Sequence, residues 1–139
     1  MTHSFLRALV GVGLLLPACA ATPAERSQPI ASGRAAFEKY CAACHGMTGE
    51  GNGPAAAALS KPPADLRRIA ARREGVFPRV EIQQIIDGRD PIVAHGARDM
   101  PIWGHEFSLT EAPGLAHEGE ARGQIQLIVE YLETLQIAE

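Results

Sequence analysis

The residues with the clearest chemistry in this chain are Cys41 to His45, which read CAACH. At about 100° per residue, positions 41, 44 and 45 project from one side of a helical turn. Two thiols in that arrangement can bond to the vinyl groups of a porphyrin while the imidazole of His45 binds its iron. This is the spacing of c-type haem attachment. It predicts one covalently bound haem c, held by Cys41 and Cys44, with His45 as the proximal iron ligand.

Other uses of a paired-cysteine motif agree less well with the sequence. A structural zinc site needs more Cys or His residues at ligand spacing, and no second CxxC pair is present. A thioredoxin-like dithiol follows a strand in an alternating β/α pattern, which this sequence lacks. The total of three cysteines is odd, and this argues against a simple disulfide scaffold.

A carrier of single electrons keeps both axial iron ligands in both oxidation states, so a second strong ligand is expected. Met100 is the predicted distal ligand, because a neutral, soft thioether favours ferrous iron. Met47 follows His45 so closely that it would have to pass around the porphyrin edge to reach the opposite face. His95 is the main alternative, since it is close enough along the chain to share a loop with Met100.

The CAACH motif is predicted to end a helix over residues 33–44, with Ser32 as its N-cap. Phe37 and Tyr40 fall on the same face of this helix as the two cysteines. The stretch GMTGEGNGP that follows contains too many glycines for a regular element. It is predicted to be a loop suited to close approach of the backbone to a flat group.

Further helices are predicted on both sides of a long irregular region. Asp65 is expected to cap a short helix over residues 66–73, and a second is expected over residues 78–87, ended by Gly88. Residues 89–120 are broken by proline and glycine and are predicted to form a long structured loop or several turns. Apolar residues then recur at helical spacing in the clearest helix of the chain: Ile125, Ile128, Val129, Leu132 and Leu135.

The pattern as a whole predicts an all-α fold of about four short helices joined by long loops, since no segment alternates like a strand. The aromatic residues are few, namely one Trp, two Tyr and four Phe. Such a thin core for so loop-rich a chain is explained if a large aromatic cofactor occupies part of it.

The first residues carry the layout of a secretory signal, because Arg7 precedes an apolar run over residues 8–16 that ends at small residues. The run is short for a permanent membrane helix. Residues 1–20 are therefore predicted to be a signal segment that directs the chain to the periplasm or the extracytoplasmic face of the membrane. Leu16 to Cys19 resemble a lipobox, so lipidation at Cys19 is predicted as one of two processing outcomes.

The remaining chain divides into two parts by composition. Residues 21–31 are small, polar and proline-bearing and are predicted to form a flexible tether. Residues 32–139 are predicted to form the one compact domain.

The net charge of −3 excludes the basic footprint of a nucleic-acid-binding protein. The charges are nonetheless segregated, with acidic residues dominating the C-terminal part. A basic cluster lies in the middle of the sequence: Lys61, Arg67, Arg68, Arg72, Arg73 and Arg79. This cluster is either a solvated surface or a docking face for an acidic redox partner.

After residue 31 the chain resembles the class I (monohaem) cytochrome c family of exported bacterial proteins over nearly its whole length. The matching features follow the family's order: Gly33, Phe37 and Tyr40, CAACHG, GEGNGP, PPADL, Met100 with Pro101 and Trp103, and VEYLETL. The resemblance implies the class I cytochrome c fold wrapped around one haem. It also implies that the first and last helices cross at Gly33, Phe37 and Tyr131.

The resemblance also implies roles for residues around the haem. Met100 occupies the late loop that carries the family's ligand methionine. The carbonyl that accepts from the ring of His45 is expected from Pro54 or Pro62, and Trp103 is expected at the haem edge, donating to a propionate. The chain departs from the shortest family members over residues 107–122, which look like an insertion.

The predicted function is one-electron transfer without chemistry on a substrate, so the chain is not expected to be an enzyme. Its partners would be redox proteins, with the chain a monomer or a subunit of a redox complex. Two alternatives remain open: the haem subunit of a larger dehydrogenase or oxidase, and a haem-based gas sensor or peroxidase. The last needs an iron position that opens readily, and a di-haem peroxidase would show a second CxxCH motif, which the sequence lacks.

Overall fold

The computed structural model describes residues 23–89, 100–109 and 116–138. These residues form helices and no strands: α1 (Pro23–Tyr40), α2 (Ala42–His45), α3 (Arg79–Asp87), α4 (Trp103–Leu109) and α5 (Ala116–Thr134). Short 3-10 turns lie at Ala56–Ala58, Leu66–Arg68 and Ala71–Arg73. The prediction of an all-α fold is therefore confirmed. None of the described helices combines the length and the apolar character needed to cross a membrane.

The core is built where α1 crosses α5. A Cβ atom on Gly33 would lie 2.0 Å from the carbonyl oxygen of Leu127, so only glycine lets the two backbones come this close. One turn further along α1, the fully buried ring of Phe37 packs at 5.5 Å from the ring of Tyr131. Ile128 and Val129 of α5 are buried beside them. The predicted crossing at Gly33, Phe37 and Tyr131 is confirmed.

We expect Gly33→Ala to destabilise the protein by about 3 kcal/mol, because the added methyl group forces the two helices apart. The free energy of unfolding in guanidinium chloride measures this loss. Gly123→Ala is the matched control within α5, since no atom lies within 4 Å of its Cβ position. It should raise stability by up to about 1 kcal/mol through helix propensity. Equal stabilities for Gly33→Ala and the unchanged protein would contradict the close crossing.

The first helix begins earlier and ends earlier than predicted. It starts at Pro23, so Ser32 is not its N-cap, and residues 23–31 are helical where the sequence suggested an irregular tether. Pro23 is tolerated in the first turn, because its missing N–H has no partner there, whereas Pro29 lies inside the helix and removes one backbone hydrogen bond. Once the packed half of α1 has formed, adding exposed turns in front of it costs little.

The middle of the chain follows the predicted caps more closely than the predicted helices. Asp65 accepts from the backbone N–H of Arg67 at 3.0 Å and is a cap as expected, but residues 66–73 form two 3-10 turns instead of one helix. The helix over residues 79–87 is confirmed. It ends at Gly88, whose φ of 67° is left-handed and whose N–H donates to the carbonyl of Gln84.

The prediction of a long loop over residues 89–120 is wrong where the structure describes this region, since it contains α4 and the start of α5. Burial of Phe107 and Ala121 in the core outweighs the glycines that argued against helix here. Residues 107–109 and 116–122 of the insertion thus continue or begin helices. Residues 110–115 lie outside the described part of the chain, as do the signal segment, Cys19 and His95.

Candidate functional site

A cavity of about 490 Å³ opens beside the helix crossing. Its volume lies within the usual range for cofactor pockets, about 300–1,000 Å³. The walls are mainly aliphatic and aromatic, and they come from α1, α3, α5 and the 3-10 turns after residue 65. Members of this apolar wall include Phe37, Ile69, Ile82, Ile86, Ile128 and Leu132. Walls of this composition suit a flat apolar group.

The two cysteines of the CAACH motif line this cavity together with His45. The helix breaks at Cys41, yet the N–H of His45 still donates to the carbonyl of Cys41 at 2.9 Å, so the motif keeps a helical turn. Both cysteines are half-buried free thiols. The structure therefore brings the three predicted residues to one wall, as the spacing of the motif requires.

Burial raises the pKa of the Cys41 thiol to about 12, with a smaller contribution from the neighbouring Cys44. At neutral pH the Cys41 thiol is therefore protonated. A neutral thiol is compatible with the apolar wall around it, whereas a thiolate would be poorly solvated there. Addition of a thiol across a vinyl group consumes both the sulfur and its proton, so this protonation state suits thioether formation.

The ring of His45 is oriented by one backbone group. Its Nδ1 lies 3.2 Å from the carbonyl oxygen of Ala64. Because a carbonyl only accepts, Nδ1 carries the proton and donates, and in the neutral imidazole the lone pair is on Nε2. This is the tautomer of a histidine that binds a metal through Nε2.

The carbonyl partner of His45 was predicted wrongly, since it is Ala64 and neither Pro54 nor Pro62. Pro62 does line the cavity, two residues before the carbonyl. Pro54 is exposed in the glycine-rich loop and is not part of the cavity wall. Every residue has a carbonyl, so the side-chain types in this stretch carry no signal that singles out position 64.

The glycine-rich loop after His45 holds the Ala64 segment in place. The N–H of Leu66 donates to the carbonyl of Gly49 at 2.7 Å, and a Cβ on Gly51 would lie 2.4 Å from the carbonyl oxygen of Pro63. Gly53 comes equally close to the carbonyl of Ala43 in the motif itself. At Gly51 and Gly53 this loop thus comes close to protein backbone, which requires glycine at both positions.

An ion-pair network adds to this support. The guanidinium of Arg67 contacts both Asp65, next to Ala64, and Glu50 in the glycine-rich loop, at 2.9 and 2.6 Å. The hydrogen bond from Arg67 lowers the pKa of the Asp65 carboxyl. The same residue caps the 3-10 turn at Leu66–Arg68, so its charge supports the segment that carries the Ala64 carbonyl.

We expect part of the stability of the protein to be lost on acidification through Asp65. Its folded-state pKa lies below the unfolded value, so its contribution is present above the unfolded pKa, about 3.9, and disappears as pH falls through the folded pKa. Because the pair is partly exposed, the loss should be about 1 kcal/mol or less. Unfolding free energies at about pH 6 and pH 3 should differ less in Asp65→Asn than in the unchanged protein. Equal differences would contradict this assignment.

Met100 and Trp103 also line the cavity, on the segment that leads into α4. Trp103 stacks on Phe107 at 5.2 Å between ring centroids and meets the ring of Tyr40 edge-on at 5.5 Å. Met100 is half-buried against the core, whereas Met47 is 59% exposed and not part of the cavity wall. Of the two methionines among the described residues, only Met100 is placed to reach a group in this cavity.

Basic residues line the cavity too, and the sequence did not indicate that they would. Lys61, Arg72 and Arg73 are among the lining residues, and no Asp or Glu of the described ranges is. Arg73 is ion-paired with Glu81, and Arg72 donates to the backbone carbonyl of Asp65 at 3.0 Å. The cavity rim is therefore positively charged and suits carboxylates such as the propionates of a haem.

The donor set agrees with haem in each respect that these residues test. Two free thiols, an imidazole in the required tautomer and a thioether all face one apolar cavity with a basic rim. Within the described ranges, no group of three or more His, Cys, Asp or Glu residues is gathered to hold a metal ion directly.

Comparison with known proteins gave one finding. Residues 28–117, well over half of the chain, match the family model described as cytochrome c oxidase, cbb3-type, subunit III. The matched span includes the CAACH motif, Met100 and Trp103. Comparisons with curated proteins and with solved structures gave no significant match.

Proposed function

The chain belongs to the family of cytochrome c oxidase, cbb3-type, subunit III, and on that basis we propose that it is an exported one-electron carrier with a single His/Met-ligated haem c. Its class I-like c-type cytochrome domain indicates haem-based electron transfer. The finer proposal depends on one observation above all. The thiols of Cys41 and Cys44, the ring of His45 and the thioether of Met100 line the same apolar cavity.

Each residue has a distinct part in this proposal. Cys41 and Cys44 would hold the haem covalently, and His45, whose ring is oriented by the carbonyl of Ala64, would bind its iron. Met100 supplies the distal thioether, which favours the reduced state. The haem supplies an iron centre that changes oxidation state by one electron. The apolar walls exclude water and keep both ligands in place during that change.

Trp103 and the basic rim are proposed to hold the haem propionates. The indole N–H of Trp103 is a donor on the cavity wall, and Lys61 and Arg72 add positive charge at the same cavity. Neither Lys61 nor Arg72 forms an ion pair within the described residues. Propionate charge would therefore be compensated mainly by these two side chains.

The proposal is tested by producing the full chain with a haem-attachment pathway and recording absorption spectra with and without carbon monoxide. A carrier retains haem on a denaturing gel, shows the sulfur-to-iron charge-transfer band when oxidised and ignores carbon monoxide when reduced. Ready binding of carbon monoxide would instead favour the gas sensor or peroxidase, because both need an accessible iron position.

A role within an oxidase complex is the second candidate, and the family match is the observation that favours it. The chemistry of the chain is the same in both settings, and only the partner differs. Purifying the tagged chain from native membranes in mild detergent would separate them. Co-purification of haem–copper oxidase subunits in constant ratio supports the complex, and recovery of the chain alone supports a free carrier.

Export and anchoring are likewise proposed from the N-terminal sequence. The chain is placed in the periplasm or on the extracytoplasmic face of the membrane, with lipidation at Cys19 as one processing outcome. Membrane recovery that is lost in Cys19→Ala would support the lipid anchor. Recovery of both proteins in the soluble periplasmic fraction would exclude it.

We expect charge reversal at Arg68 and Arg72 to slow electron transfer to an acidic partner several-fold at low ionic strength, because long-range attraction raises encounter rates. Arg68 and Arg72 are both exposed, and Arg72 also lines the cavity. The effect of the double variant should shrink as salt is added. Arg34→Glu is the control, since Arg34 is bound to Glu38 on α1. Unchanged electron-transfer rates of the double variant at all ionic strengths would contradict the hypothesis of a docking face.

A further inference from the structure

Arg89 joins two helices that are far apart in sequence. Its Nε and Nη2 donate to the two carboxylate oxygens of Asp87 at 2.7 Å each, at the end of α3. Its Nη1 donates to both oxygens of Glu118 in the first turn of α5, at 2.7 and 2.8 Å. We call these three residues the Arg89 clamp. Both carboxylates use both of their oxygens, so the geometry of the clamp is well defined.

The Arg89 clamp lies directly on the backbone of α4. A Cβ atom on Gly104, the second residue of α4, would lie 2.6 Å from Nε of Arg89 and 2.6 Å from Cγ of Asp87. Gly104 is buried, and the clamp is among the groups that cover it. A side chain at position 104 would therefore displace the clamp or the helix.

The residues that directly follow Met100 lie beside the clamp. Ile102 begins the turn that opens α4, where its carbonyl accepts from the N–H groups of His105 and Glu106 at 3.0 Å. The Cα of Ile102 lies 3.4 Å from the Cβ position of Gly88, between the two clamp residues Asp87 and Arg89. Holding the clamp in place therefore holds the backbone two residues after Met100.

We propose that Arg89 is a positioning residue for the distal iron ligand, in that its clamp keeps the Met100 segment against the cavity. The inference rests on the proposed function, in which Met100 binds the iron. For an added ligand to reach the distal side, this segment has to move away. The apparent affinity for the added ligand is its intrinsic affinity multiplied by the fraction of molecules with the segment displaced. Loss of the clamp raises that fraction.

Imidazole is the probe that tests the clamp. The full-length oxidised haem protein is titrated with imidazole, and loss of the sulfur-to-iron band gives the apparent affinity. Arg89→Met should bind imidazole about fivefold to tenfold more tightly than the unchanged protein. This is the effect expected when two partly exposed ion pairs no longer stabilise the state in which the Met100 segment is in place. Arg34→Met removes a single ion pair on α1 and should leave the affinity unchanged. Equal affinities of Arg89→Met and the unchanged protein would overturn the proposal.

The dependence of imidazole affinity on ionic strength is a second measurement, and a merely structural role of Arg89 would not produce it. Because the clamp is partly exposed, added salt weakens it, so imidazole affinity should rise with ionic strength in the unchanged protein and much less in Arg89→Met. The same salt dependence in both proteins would overturn the proposal. If Arg89→Met does not fold, Glu118→Gln removes one half of the clamp and should show a smaller shift in the same direction.

Gly104→Ala connects the clamp to α4. It should also tighten imidazole binding, and adding Arg89→Met to it should have little further effect, because both changes act through one contact. Fully additive effects would contradict that shared route.

The outcomes also separate the proposal about the clamp from the proposed function. An unchanged protein without the sulfur-to-iron band would overturn Met100 ligation and the clamp together, whereas a normal band with no response to Arg89→Met would overturn the clamp alone.

Discussion

Replacing Cys41 and Cys44 together with alanine should abolish covalent haem attachment, because no other thiol in the part of the chain that the structure describes lines the cavity. Haem staining after denaturing electrophoresis and intact mass measure the loss directly. The single variants Cys41→Ala and Cys44→Ala keep one thiol each and should retain haem in reduced yield. Cys19→Ala is the control for thiol content and should retain haem fully, since Cys19 belongs to the predicted signal segment.

The same double variant should fail to fold stably. Without haem, an apolar cavity of about 490 Å³ is left beside the helix crossing. At the cost measured for cavities in protein cores, this amounts to on the order of 10 kcal/mol, which is as large as the whole stability of a typical domain. Far-ultraviolet circular dichroism should therefore show most of the helix lost. A haem-free double variant that unfolds cooperatively with native helix content would contradict a haem-dependent core, and full covalent haem in this variant would contradict the attachment site.

Met100→Ala should remove the sulfur-to-iron band and let carbon monoxide bind the reduced protein. The reduction potential should fall by on the order of 0.1 V, because the thioether that favours ferrous iron is gone and axial ligands control potentials over several tenths of a volt. Spectroelectrochemical titration measures both the band and the potential.

Met47→Ala is the matched control for this prediction, since the Met47 side chain is largely exposed and outside the cavity wall. It should leave the band and the potential unchanged. Survival of the band in Met100→Ala together with its loss in Met47→Ala would reassign the distal ligand. An unchanged protein that never shows the band, but loses a bis-imidazole spectrum in His95→Ala, would favour His95.

Local features of the sequence determined much of the chemistry. The CAACH spacing places two thiols and an imidazole on one helical turn, and a single turn needs no distant contact to bring them together. The caps at Asp65 and Gly88 are also local, since each depends on hydrogen bonds within a few residues. The crossing at Gly33, Phe37 and Tyr131 was expected only through the resemblance to a family, because it joins residues far apart in the chain.

Other parts of the site were decided by tertiary structure. The partner of His45 is a backbone carbonyl, which no side-chain pattern identifies, and only packing of the glycine-rich loop against residues 63–66 brings Ala64 to it. Helix α4 forms where glycine and proline argue for a loop, because burial of Phe107 and contact with α5 outweigh local propensity.

For the arginines, too, the sequence predicts one part and the tertiary structure decides the other. Their positions in the sequence predict a basic cluster, but not that Arg73 binds Glu81, that Arg79 binds Glu133 or that Arg89 reaches Glu118. Each pair depends on which helix faces meet after folding. The placing of two thiols and an imidazole within one turn is thus encoded locally. The hydrogen bonds and ion pairs that orient the side chains of the site join distant segments, and they exist only once the core has brought those segments together.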